Sequence, residues 1–409
     1  MSYVMHDLEV TAPLPRLELP PDATGYALVL RRHGRVVGFL MKPAAAGGAT
    51  IEPAALAPII TAEIGEKLLE VAIAEELHSA DRLAASPMPS LTVAICTKDR
   101  PARLGRCLAS LLPQIEAGRA DGQAIEVLVI DNAPSDDQTR KVVEGLPGVR
   151  YELEVRPGLD FARNRALGSA SGDWIAYLDD DVVVDRGWLA GLREAWAENP
   201  DAGAFTGLVL PFELAMPSQI IFEQRGGFRR GFDKIRYGTR FPANPLYPCA
   251  SGIFGAGCNM AFRRDAMLAL GGFDEALDTG APLPGGGDLD AFFRIVRAGH
   301  VLAYEPQLLV YHEHRRELAA LRRQYWSWGL GCMAFLAKCY HADPAVRPII
   351  FRFLAWWIKY QIKEAVRSLR PHGPPLVMVL AEVWGGIAGI AGEYSRSMRR
   401  IERIRRAYP

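Results

Sequence analysis

The sequence predicts an α/β fold in which a parallel sheet is covered by helices on both of its faces. Over residues 91–310, short apolar runs alternate with amphipathic segments, and this alternation is typical of such a sheet. The apolar runs are continuous, as expected for strands that are buried on both faces. Acidic side chains directly follow several of the runs, which predicts a ligand crevice at the carboxyl ends of the strands.

The first strands and the helices between them follow from this pattern in chain order. The predicted strands cover residues 91–96, 125–130, 149–153 and 174–178, and the predicted helices cover residues 103–112, 137–144 and 161–169. Thr97, Asp131 and the run Asp179, Asp180 and Asp181 each lie at the end of one of these strands. We expect these side chains to converge on one crevice, because the carboxyl ends of parallel strands lie at the same edge of a sheet.

The composition limits the class of protein. The 409 residues contain 47 Lys and Arg and 47 Asp and Glu, so the chain is not a general nucleic-acid binder. The charge is uneven, with 7 basic against 11 acidic residues over residues 1–85 and 12 basic against 5 acidic over residues 341–409. None of the six cysteines forms a CxxC pair, which argues against a zinc site and for a reducing compartment. The N-terminus shows no secretory signal, so we expect a cytoplasmic protein.

Three domains follow from the changes in pattern along the chain. They are a small α+β accessory domain, the α/β domain and a helical region, with predicted limits at residues 1–88, 89–315 and 316–409. In the first domain we expect a hairpin of residues 26–30 and 36–40, then a helix through residues 68–74. A linker is predicted at residues 86–89, and this first domain carries no recognisable chemistry.

The run Asp179, Asp180 and Asp181 carries the most chemistry. Adjacent carboxylates repel one another, and a divalent cation that prefers oxygen ligands resolves this repulsion. Asp179 and Asp181 occupy the outer positions of a DxD pattern and are the candidates to bind Mn²⁺ or Mg²⁺. A solvated acidic turn is the alternative. Neither a GxGxxG motif after the first strand nor a GxxxxGK[ST] motif occurs, which disfavours hydride transfer and P-loop chemistry.

A series of segments in the same order resembles the motifs of family 2 inverting glycosyltransferases. These segments are residues 96–101, 130–136, 162–166, 178–181, 257–264, 271–275, 286–290 and 310–312. The resemblance covers about residues 91–315. It implies the GT-A fold, an α/β sheet that binds a nucleoside-diphosphate sugar.

The resemblance also implies which residues bind the metal and the donor. It suggests Asp181 as the direct metal ligand, with His312 completing the site and His314 as the rival histidine; a surface position is the alternative for either histidine. The residues assigned to donor binding are Thr97, Arg100, Asp131, Arg163 and Asp180. Of these, Thr97 and Asp131 would line the base pocket, Arg163 would lie near the base or diphosphate, and Asp180 near the ribose. The alternatives are a strand-end turn residue for Asp131 and an exposed helix charge for Arg163.

Asp288 is the candidate general base that takes the proton of the acceptor hydroxyl. It matches the Asp of the family's Glu-Asp motif, but the preceding Glu position is Gly287 in this chain. Asp290 is therefore a rival. The alternative role for Asp288 is to cap a helix over residues 289–297, since Asp is a favoured N-cap residue.

Two regions outside the motifs suggest further contacts. Residues 212–248 are rich in Arg and aromatic side chains and are expected to border the acceptor side, with a solvated insertion as the alternative. Residues 349–360 mix aromatic side chains with Lys and Arg, which is typical of helices in a membrane interface. Residues 376–392 are apolar but short for a membrane span, and an Arg-rich tail follows them. We expect peripheral attachment at the cytoplasmic face, with a helical cap or dimerisation arm and true insertion as alternatives.

The predicted function is inverting, metal-dependent transfer of a sugar from a nucleoside-diphosphate sugar to an acceptor hydroxyl. A UDP-sugar is expected because it is the commonest donor in the family, and the product would be a glycan, polysaccharide or glycolipid. The acceptor would be a carbohydrate, a lipid-linked molecule or another hydroxyl compound. Two other functions stay open at this point: a sugar-phosphate nucleotidyltransferase and a non-catalytic carbohydrate-binding scaffold.

Overall fold

A strand-rich N-terminal part, a central mixed sheet with helices on both faces, and a C-terminal group of helices make up the fold. The computed structural model describes residues 2–44, 47–77, 88–277, 283–370 and 373–408. This architecture confirms the predicted α/β class with a helical C-terminal region. The predicted domain limits stay predictions, and residues 86 and 87 of the predicted linker lie outside the described residues.

The N-terminal part is built on a three-stranded sheet. Its elements are β1 (Tyr3–Glu9), β2 (Leu17–Leu19), β3 (Gly25–Arg32), β4 (Arg35–Pro43), β5 (Ala49–Ile51) and α1 (Pro53–Leu77). β3 pairs with β1 in parallel and with β4 in an antiparallel hairpin, as predicted for residues 26–40. The hairpin turn places His33 at φ +50° and Gly34 at φ +77°, and glycine adopts such left-handed values readily.

The two faces of this small sheet bury different partners. Leu28 packs towards α1 in a cluster that includes Leu56, whereas Val29 on the opposite face joins the core of the central sheet. This division follows from the alternation of side chains along a strand. The N-terminal part therefore packs directly against the central sheet.

An ion-pair network reinforces that contact. Both terminal nitrogens of Arg35 reach the carboxylate of Glu194, which Lys234 also contacts at 2.5 Å. Burial alone would raise the pKa of Glu194, but the hydrogen bonds from these two cations outweigh burial and lower it to about 2. Glu194 is thus ionised in the folded protein at any ordinary pH.

Within the described residues, the central sheet has nine strands. They are β6 (Leu91–Thr97), β7 (Ile125–Asn132), β8 (Val149–Glu154), β9 (Trp174–Asp179), β10 (Val182–Val184), β11 (Ala202–Pro211), β12 (Ile235–Tyr237), β13 (Asn259–Arg263) and β14 (Val301–His312). Their order is β10-β14-β11-β13-β9-β6-β7-β8, and β12 pairs with β14. The four strands predicted from the apolar runs are parallel neighbours. Beyond β9 the sheet becomes mixed, because β13 runs antiparallel to both β9 and β11.

Helices surround the central sheet, and those predicted over residues 103–112, 137–144 and 161–169 are present, with one clear difference in length. They are α2 (Pro101–Ala120), α3 (Gln138–Glu144), α4 (Leu159–Ser169), α5 (Trp188–Glu198), α6 (Pro217–Gln224), α7 (Arg264–Ala269) and α8 (Gly287–Arg297). α2 continues through Pro113, where the sequence predicts its end at residue 112. Leu111 and Ile115 are both fully buried on either side of this proline, so packing on the sheet outweighs the lost backbone hydrogen bond.

The C-terminal helices form a group around α9. They are α9 (Leu318–Ala342), α10 (Arg347–Arg367), α11 (Leu376–Ala388) and α12 (Tyr394–Ala407), with a π-helical turn at Gly389–Glu393 before the last. α11 packs closely on α9, because Gly329 and Gly385 lie at the contact and any Cβ there would overlap the backbone of the other helix. Met333 and Phe335 of α9 lie fully buried in the core of this group.

Candidate active site

The carboxyl ends of β6, β7 and β9 lie side by side at one edge of the central sheet. Thr97 on β6 is in register with Asp131 on β7, and Cys96 is in register with Asp179 on β9. The polar residues that end these strands therefore share one edge, as the alternation of strands and helices predicts. The loops that follow the strands supply the remaining side chains of the candidate site.

Asp180 is held by residues at the end of β6. The hydroxyl of Thr97 donates to Oδ2 of Asp180 at 2.7 Å, and Nη1 of Arg100 donates to Oδ1 at 3.1 Å. Burial raises the pKa of Asp180, and the positive charge of Arg100 opposes that increase. The structure thus brings three of the predicted donor-binding residues into direct contact.

Asp181 faces His312 at the end of β14. The two side chains are buried, and Oδ1 of Asp181 lies 3.4 Å from Nε2 of His312. They meet because β10 pairs with β14 directly after the acidic run, with Val182 opposite His312. Burial lowers the pKa of His312 well below its ordinary value, which keeps the imidazole neutral. The alternative of a surface position for His312 is therefore wrong.

A chain of three side chains orients His312 from behind. Nε2 of His314 lies 2.8 Å from Oε1 of Glu223, and Nδ1 of His314 lies 3.0 Å from Nδ1 of His312. A carboxylate only accepts hydrogen bonds, so Nε2 of His314 carries the proton that points at Glu223. The contact between the two Nδ1 atoms needs one proton, and Nδ1 of His312 supplies it in the tautomer that leaves Nε2 of His312 unprotonated. His314 thus supports His312, and its surface alternative is also wrong because it is buried.

The pair of Asp181 and His312 has the donor set of a divalent-cation site. Within the described part of the chain, Oδ1 of Asp181 has no hydrogen-bond partner. A neutral His312 that donates through Nδ1 presents an unprotonated Nε2 to this oxygen, so two lone pairs face each other at 3.4 Å. Carboxylate and imidazole both bind transition-metal ions, and a cation near both would remove the repulsion. The residues present therefore fit a metal ion such as Mn²⁺.

Arg163 of α4 is buried beside the third carboxylate of the acidic run. Its Nη1 donates to Oδ1 of Asp160 at 3.0 Å, and its Nη2 lies 3.9 Å from Oδ1 of Asp179. The side chain of Arg163 is 4% exposed and that of Asp160 is 0% exposed. The alternative of an exposed helix charge for Arg163 is therefore wrong, and the residue lies next to the candidate metal ligand Asp179.

Asp160 also explains the glycine in the altered Glu-Asp motif. A Cβ atom placed on Gly287 would overlap Oδ2 of Asp160. The carboxylate of Asp160 on α4 thus occupies the space that a side chain at residue 287 would enter. A carboxylate lies next to the backbone of residue 287 in this chain, although it comes from another helix.

Asp288 is the second residue of α8 and points at the loop before β13. Its Oδ2 accepts from the backbone nitrogen of Gly257 at 3.0 Å, and its Oδ1 accepts from that of Leu289 at 2.9 Å. The predicted alternative of an N-cap is wrong, because α8 begins at Gly287 and its N-cap is Gly286. The carboxylate is held at a defined position by two backbone donors.

Gly257 separates Asp288 from Arg163. A Cβ atom on Gly257 would lie 3.2 Å from Oδ2 of Asp288 and 3.1 Å from Nη2 of Arg163. The candidate base is therefore close to the arginine that contacts Asp179. The rival base, Asp290, is 1% exposed and forms ion pairs with Lys338 at 2.7 Å and Arg294 at 2.6 Å, which favours a structural role.

Asp131 lies at the same sheet edge but contacts a separate set of side chains. The hydroxyl of Tyr151 donates to Oδ2 of Asp131 at 3.0 Å, and among the described residues Oδ1 has no hydrogen-bond partner. Burial raises the pKa of Asp131. The neighbouring loops are joined by Asp99, whose carboxylate accepts from the backbone and hydroxyl of Ser135 at 2.8 and 2.9 Å. A buried acceptor oxygen at this position is available to a ligand that can donate a hydrogen bond.

The Arg- and aromatic-rich segment of residues 212–248 borders the two histidines. The ring of Phe228 lies 5.0 Å from that of His312, and the ring of Phe222 lies 4.7 Å from that of His314. Trp328 of α9 packs on Phe228 at 5.7 Å and is partly exposed. The alternative of a solvated insertion is wrong for these aromatic residues, while the contact of this segment with an acceptor stays a prediction.

Three side chains near the site are not found by sequence reasoning. Asp160 precedes Arg163 by one helical turn, and this spacing is a signal for a pair on the same helix face. Arg315, whose Nη1 lies 3.8 Å from Oδ2 of Asp181, directly follows the predicted histidines. Glu223 has no such signal, because it lies 91 residues before its partner His314.

Comparisons with known proteins agree with this geometry. Residues 92–270 match the family model described as Glycosyl transferase family 2. The pre-mycofactocin glycosyltransferase of Mycobacterium tuberculosis is 27% identical over 319 residues, which cover 73% of this chain and 60% of that protein. The succinoglycan biosynthesis protein ExoM of Rhizobium meliloti is 28% identical over 259 residues, which cover 61% of this chain and 76% of that protein. This chain thus spans less than two thirds of the first relative.

A solved structure is also similar. The mannosyltransferase PcManGT from Pyrobaculum calidifontis, in complex with GDP-Man and Mn²⁺, aligns with a TM-score of 0.46 and 17% identity, over 84% of this chain and 96% of that one. The family match covers β6 to α7, the part of the chain that carries the acidic run, Arg163 and Gly257. Residues 92–270 are therefore similar to glycosyl transferase family 2, and the family match together with these relatives supports a family 2 glycosyltransferase.

Proposed function

We propose that this protein transfers a sugar from a nucleoside-diphosphate sugar to an acceptor hydroxyl, with inversion at the anomeric carbon, in the biosynthesis of a glycan, polysaccharide or glycolipid. One observation carries the proposal: the acidic run with His312, the buried Arg163 and the backbone-held Asp288 surround one sheet edge. A family 2 glycosyltransferase needs a site for the diphosphate and a base for the acceptor, and these groups can supply both.

Asp179, Asp181 and His312 are the residues that would hold the metal ion, either Mn²⁺ or Mg²⁺. When bound, the ion would neutralise charge on the diphosphate leaving group. The fit of Asp181 and His312 to a cation rests on the facing lone pairs described above. Asp179 is half-buried and lies next to Arg163. The guanidinium group of Arg163 can therefore share with the metal ion the neutralisation of the leaving-group charge.

Asp288 would act as general base in a single displacement. The acceptor oxygen forms a bond to the anomeric carbon as its proton moves to the carboxylate of Asp288. The bond between the anomeric carbon and the diphosphate oxygen breaks, and its electron pair leaves with the nucleoside diphosphate. Attack opposite the leaving group inverts the anomeric carbon. The backbone nitrogens of Gly257 and Leu289 hold the carboxylate in place for this step.

Donor recognition is assigned to the residues around β6 and β7. Thr97 and Arg100 would fix Asp180 next to the ribose, because both already hold its two oxygens. Asp131 would accept a hydrogen bond from the base through its free buried oxygen. The choice of a UDP-sugar rests on the resemblance alone.

The nucleotidyltransferase alternative has no support in the loop after β6. Such enzymes need a Gly-rich, basic loop at this position, and residues 97–101 contain no glycine. The scaffold alternative predicts a protein that binds sugar but has no turnover. Measurement of nucleotide binding and of turnover distinguishes all three functions.

The test is calorimetric titration with UDP, GDP and dTDP, each with Mn²⁺ and with EDTA. Metal-dependent binding of one nucleotide is the expected result, and it would also identify the donor. Asp288→Asn should then abolish transfer and leave this binding intact, while Asp265→Asn, at an exposed carboxylate on α7, should change neither. Unchanged turnover of Asp288→Asn would contradict its role as base, and no binding of any nucleotide would contradict the proposed function.

A further inference from the structure

The C-terminal helices expose an unusual amount of apolar surface. More than half of the large apolar side chains that are exposed within the described residues lie between Phe351 and Ile390, on α10, α11, their connection and the turn that follows α11. Single exposed apolar residues are normal on a soluble protein, but a continuous group marks an interaction surface. This surface is separate from the candidate active site, and the inference drawn from it does not depend on the proposed function.

α10 divides into three lengthwise faces. Its buried face packs on the rest of the protein through Ile350, Phe353, Gln361 and Glu364. An exposed apolar stripe with spacings of three or four residues consists of Phe351, Ala355, Ile358, Ile362 and Val366. A basic stripe lies beside it at the same helical period and consists of Arg352, Lys359, Lys363 and Arg367. Residues with these spacings share one side of a helix.

The exposed surface of α10 carries no negative charge. Glu364 is the sole acidic residue of this helix, and it is buried, where it contacts Arg367 at 2.6 Å and Arg225 at 3.6 Å. The solvent-facing side of α10 is therefore purely apolar and basic. A surface of this kind is complementary to a lipid layer that has an apolar interior and anionic headgroups.

α11 adds a second apolar face next to the first. Leu376, Val377, Leu380, Trp384 and Ile387 are exposed on one side, and Met378, Val379, Gly385 and Gly386 are buried on the other. The two helices touch where the ring of Trp357 on α10 meets Gly386. Trp384 is the most exposed of these side chains at 64%, and tryptophan favours the level of lipid headgroups.

α11 does not extend far enough to cross a bilayer in this structure. Within the described residues, one helical stretch, Leu376–Ala407, is long and apolar enough by length and composition to span a membrane, and 33% of its most apolar window is buried. Its backbone is non-helical at Ala391 and Gly392, where the apolar part ends. The 13 residues of α11 reach about 20 Å, which is short of the roughly 30 Å hydrocarbon core.

We infer that α10 and α11 dock the protein on the surface of an anionic lipid bilayer. The apolar stripe and the exposed face of α11 would enter the headgroup region, while the Lys and Arg side chains extend their charged ends to the lipid phosphates. The basic stripe favours anionic lipid over a second copy of the chain as the partner of this surface. A second copy would bring the positive charges of two stripes together, whereas anionic lipid neutralises these charges. α9 joins this surface to the site, because it carries Trp328 beside Phe228 and packs on α11 through Gly329.

The test is co-sedimentation of the full chain with lipid vesicles, without donor or metal. We expect binding to an equimolar mixture of phosphatidylcholine and phosphatidylglycerol, and little binding to phosphatidylcholine alone. Binding should weaken between about 0.1 M and about 1 M salt, because the Debye length falls from about 10 Å to about 3 Å. The double variant Lys359→Gln with Lys363→Gln should weaken vesicle binding about 30-fold.

Matched controls separate this surface from general effects of charge and apolarity. Lys141→Gln with Arg263→Gln removes two exposed charges elsewhere and should leave binding unchanged. Ile358→Ser with Ile362→Ser should weaken binding, whereas Leu69→Ser with Ile73→Ser, two exposed residues with the same spacing on α1, should not.

Three results would overturn the inference. They are no binding to anionic vesicles, equal binding of the Lys359 and Lys363 variant, and a dimer in sedimentation velocity that Ile358→Ser with Ile362→Ser converts to monomer. The last result would assign the surface to a second copy of the chain. Because no donor is present, none of these results bears on the proposed glycosyl transfer.

Discussion

Moving the carboxylate from residue 160 to residue 287 tests how this chain tolerates the missing Glu of its Glu-Asp motif. Asp160 is 0% exposed and pairs at 3.0 Å with Arg163, which is 4% exposed. Removing one partner of a buried ion pair typically costs about 3–5 kcal/mol of the free energy of unfolding. Asp179, at 3.9 Å from Arg163, offsets part of that loss. We therefore expect Asp160→Ala to cost about 3 kcal/mol.

Gly287→Glu alone should also be destabilising, for a different reason. Its Cβ would overlap the carboxylate of Asp160, and it would bring a second negative charge into a buried site. In the double variant Asp160→Ala with Gly287→Glu, the overlap is gone and the new carboxylate can reach Arg163. The double variant should then lose about 2 kcal/mol less of the free energy of unfolding than the sum of the two single losses, which is within the range measured for residues in contact.

Urea unfolding of the wild type, both single variants and the double variant measures this coupling. The matched control is Gly285→Glu, because a Cβ at residue 285 has no neighbour within 4 Å. Combined with Asp160→Ala, Gly285→Glu should show additive losses. Additive losses for Gly287→Glu with Asp160→Ala would refute the idea that the Asp160 carboxylate occupies the space of the missing side chain.

Three other predictions concern the metal site and the contact of the N-terminal part. Asp181→Asn should remove the Mn²⁺ dependence of nucleotide binding in calorimetry; retained dependence would contradict its role as ligand. Glu223→Gln should weaken Mn²⁺ binding about 10- to 100-fold, because it no longer fixes the histidine tautomer; unchanged affinity would exclude that role. The pKa of Glu194 is about 2 in the folded protein, below its unfolded value of about 4.5. Its contribution to the free energy of unfolding is therefore complete above about pH 4.5, and up to about 3 kcal/mol of it is lost as the pH falls towards 2. Urea unfolding should therefore show a cost of Glu194→Gln near neutral pH that shrinks in acid, and a cost independent of pH would contradict this reasoning.

The strands of the central sheet could be predicted because their signal is local. The first, second and fourth strands are largely apolar and buried, as a strand covered on both faces requires. The third, β8, lies at the edge of the sheet and alternates apolar with charged residues. The length of α2 could not be predicted, because a local rule ends a helix before Pro113. Burial of Leu111 and Ile115 against the sheet overrides that rule, and such burial depends on the rest of the fold.

By itself, the sequence determined the α/β class, the positions of the first four strands along the chain and the motifs that resemble those of family 2 glycosyltransferases, which the family match over residues 92–270 supports. It also placed Thr97, Asp131 and the acidic run at strand ends. Only the tertiary structure decided that Asp160 fills the space beside Gly287 and that Glu223 supports His314, because these contacts join residues from distant helices and strands. The end of a strand can be read from the local pattern of residues. Which buried side chains contact each other depends on how the helices and strands pack.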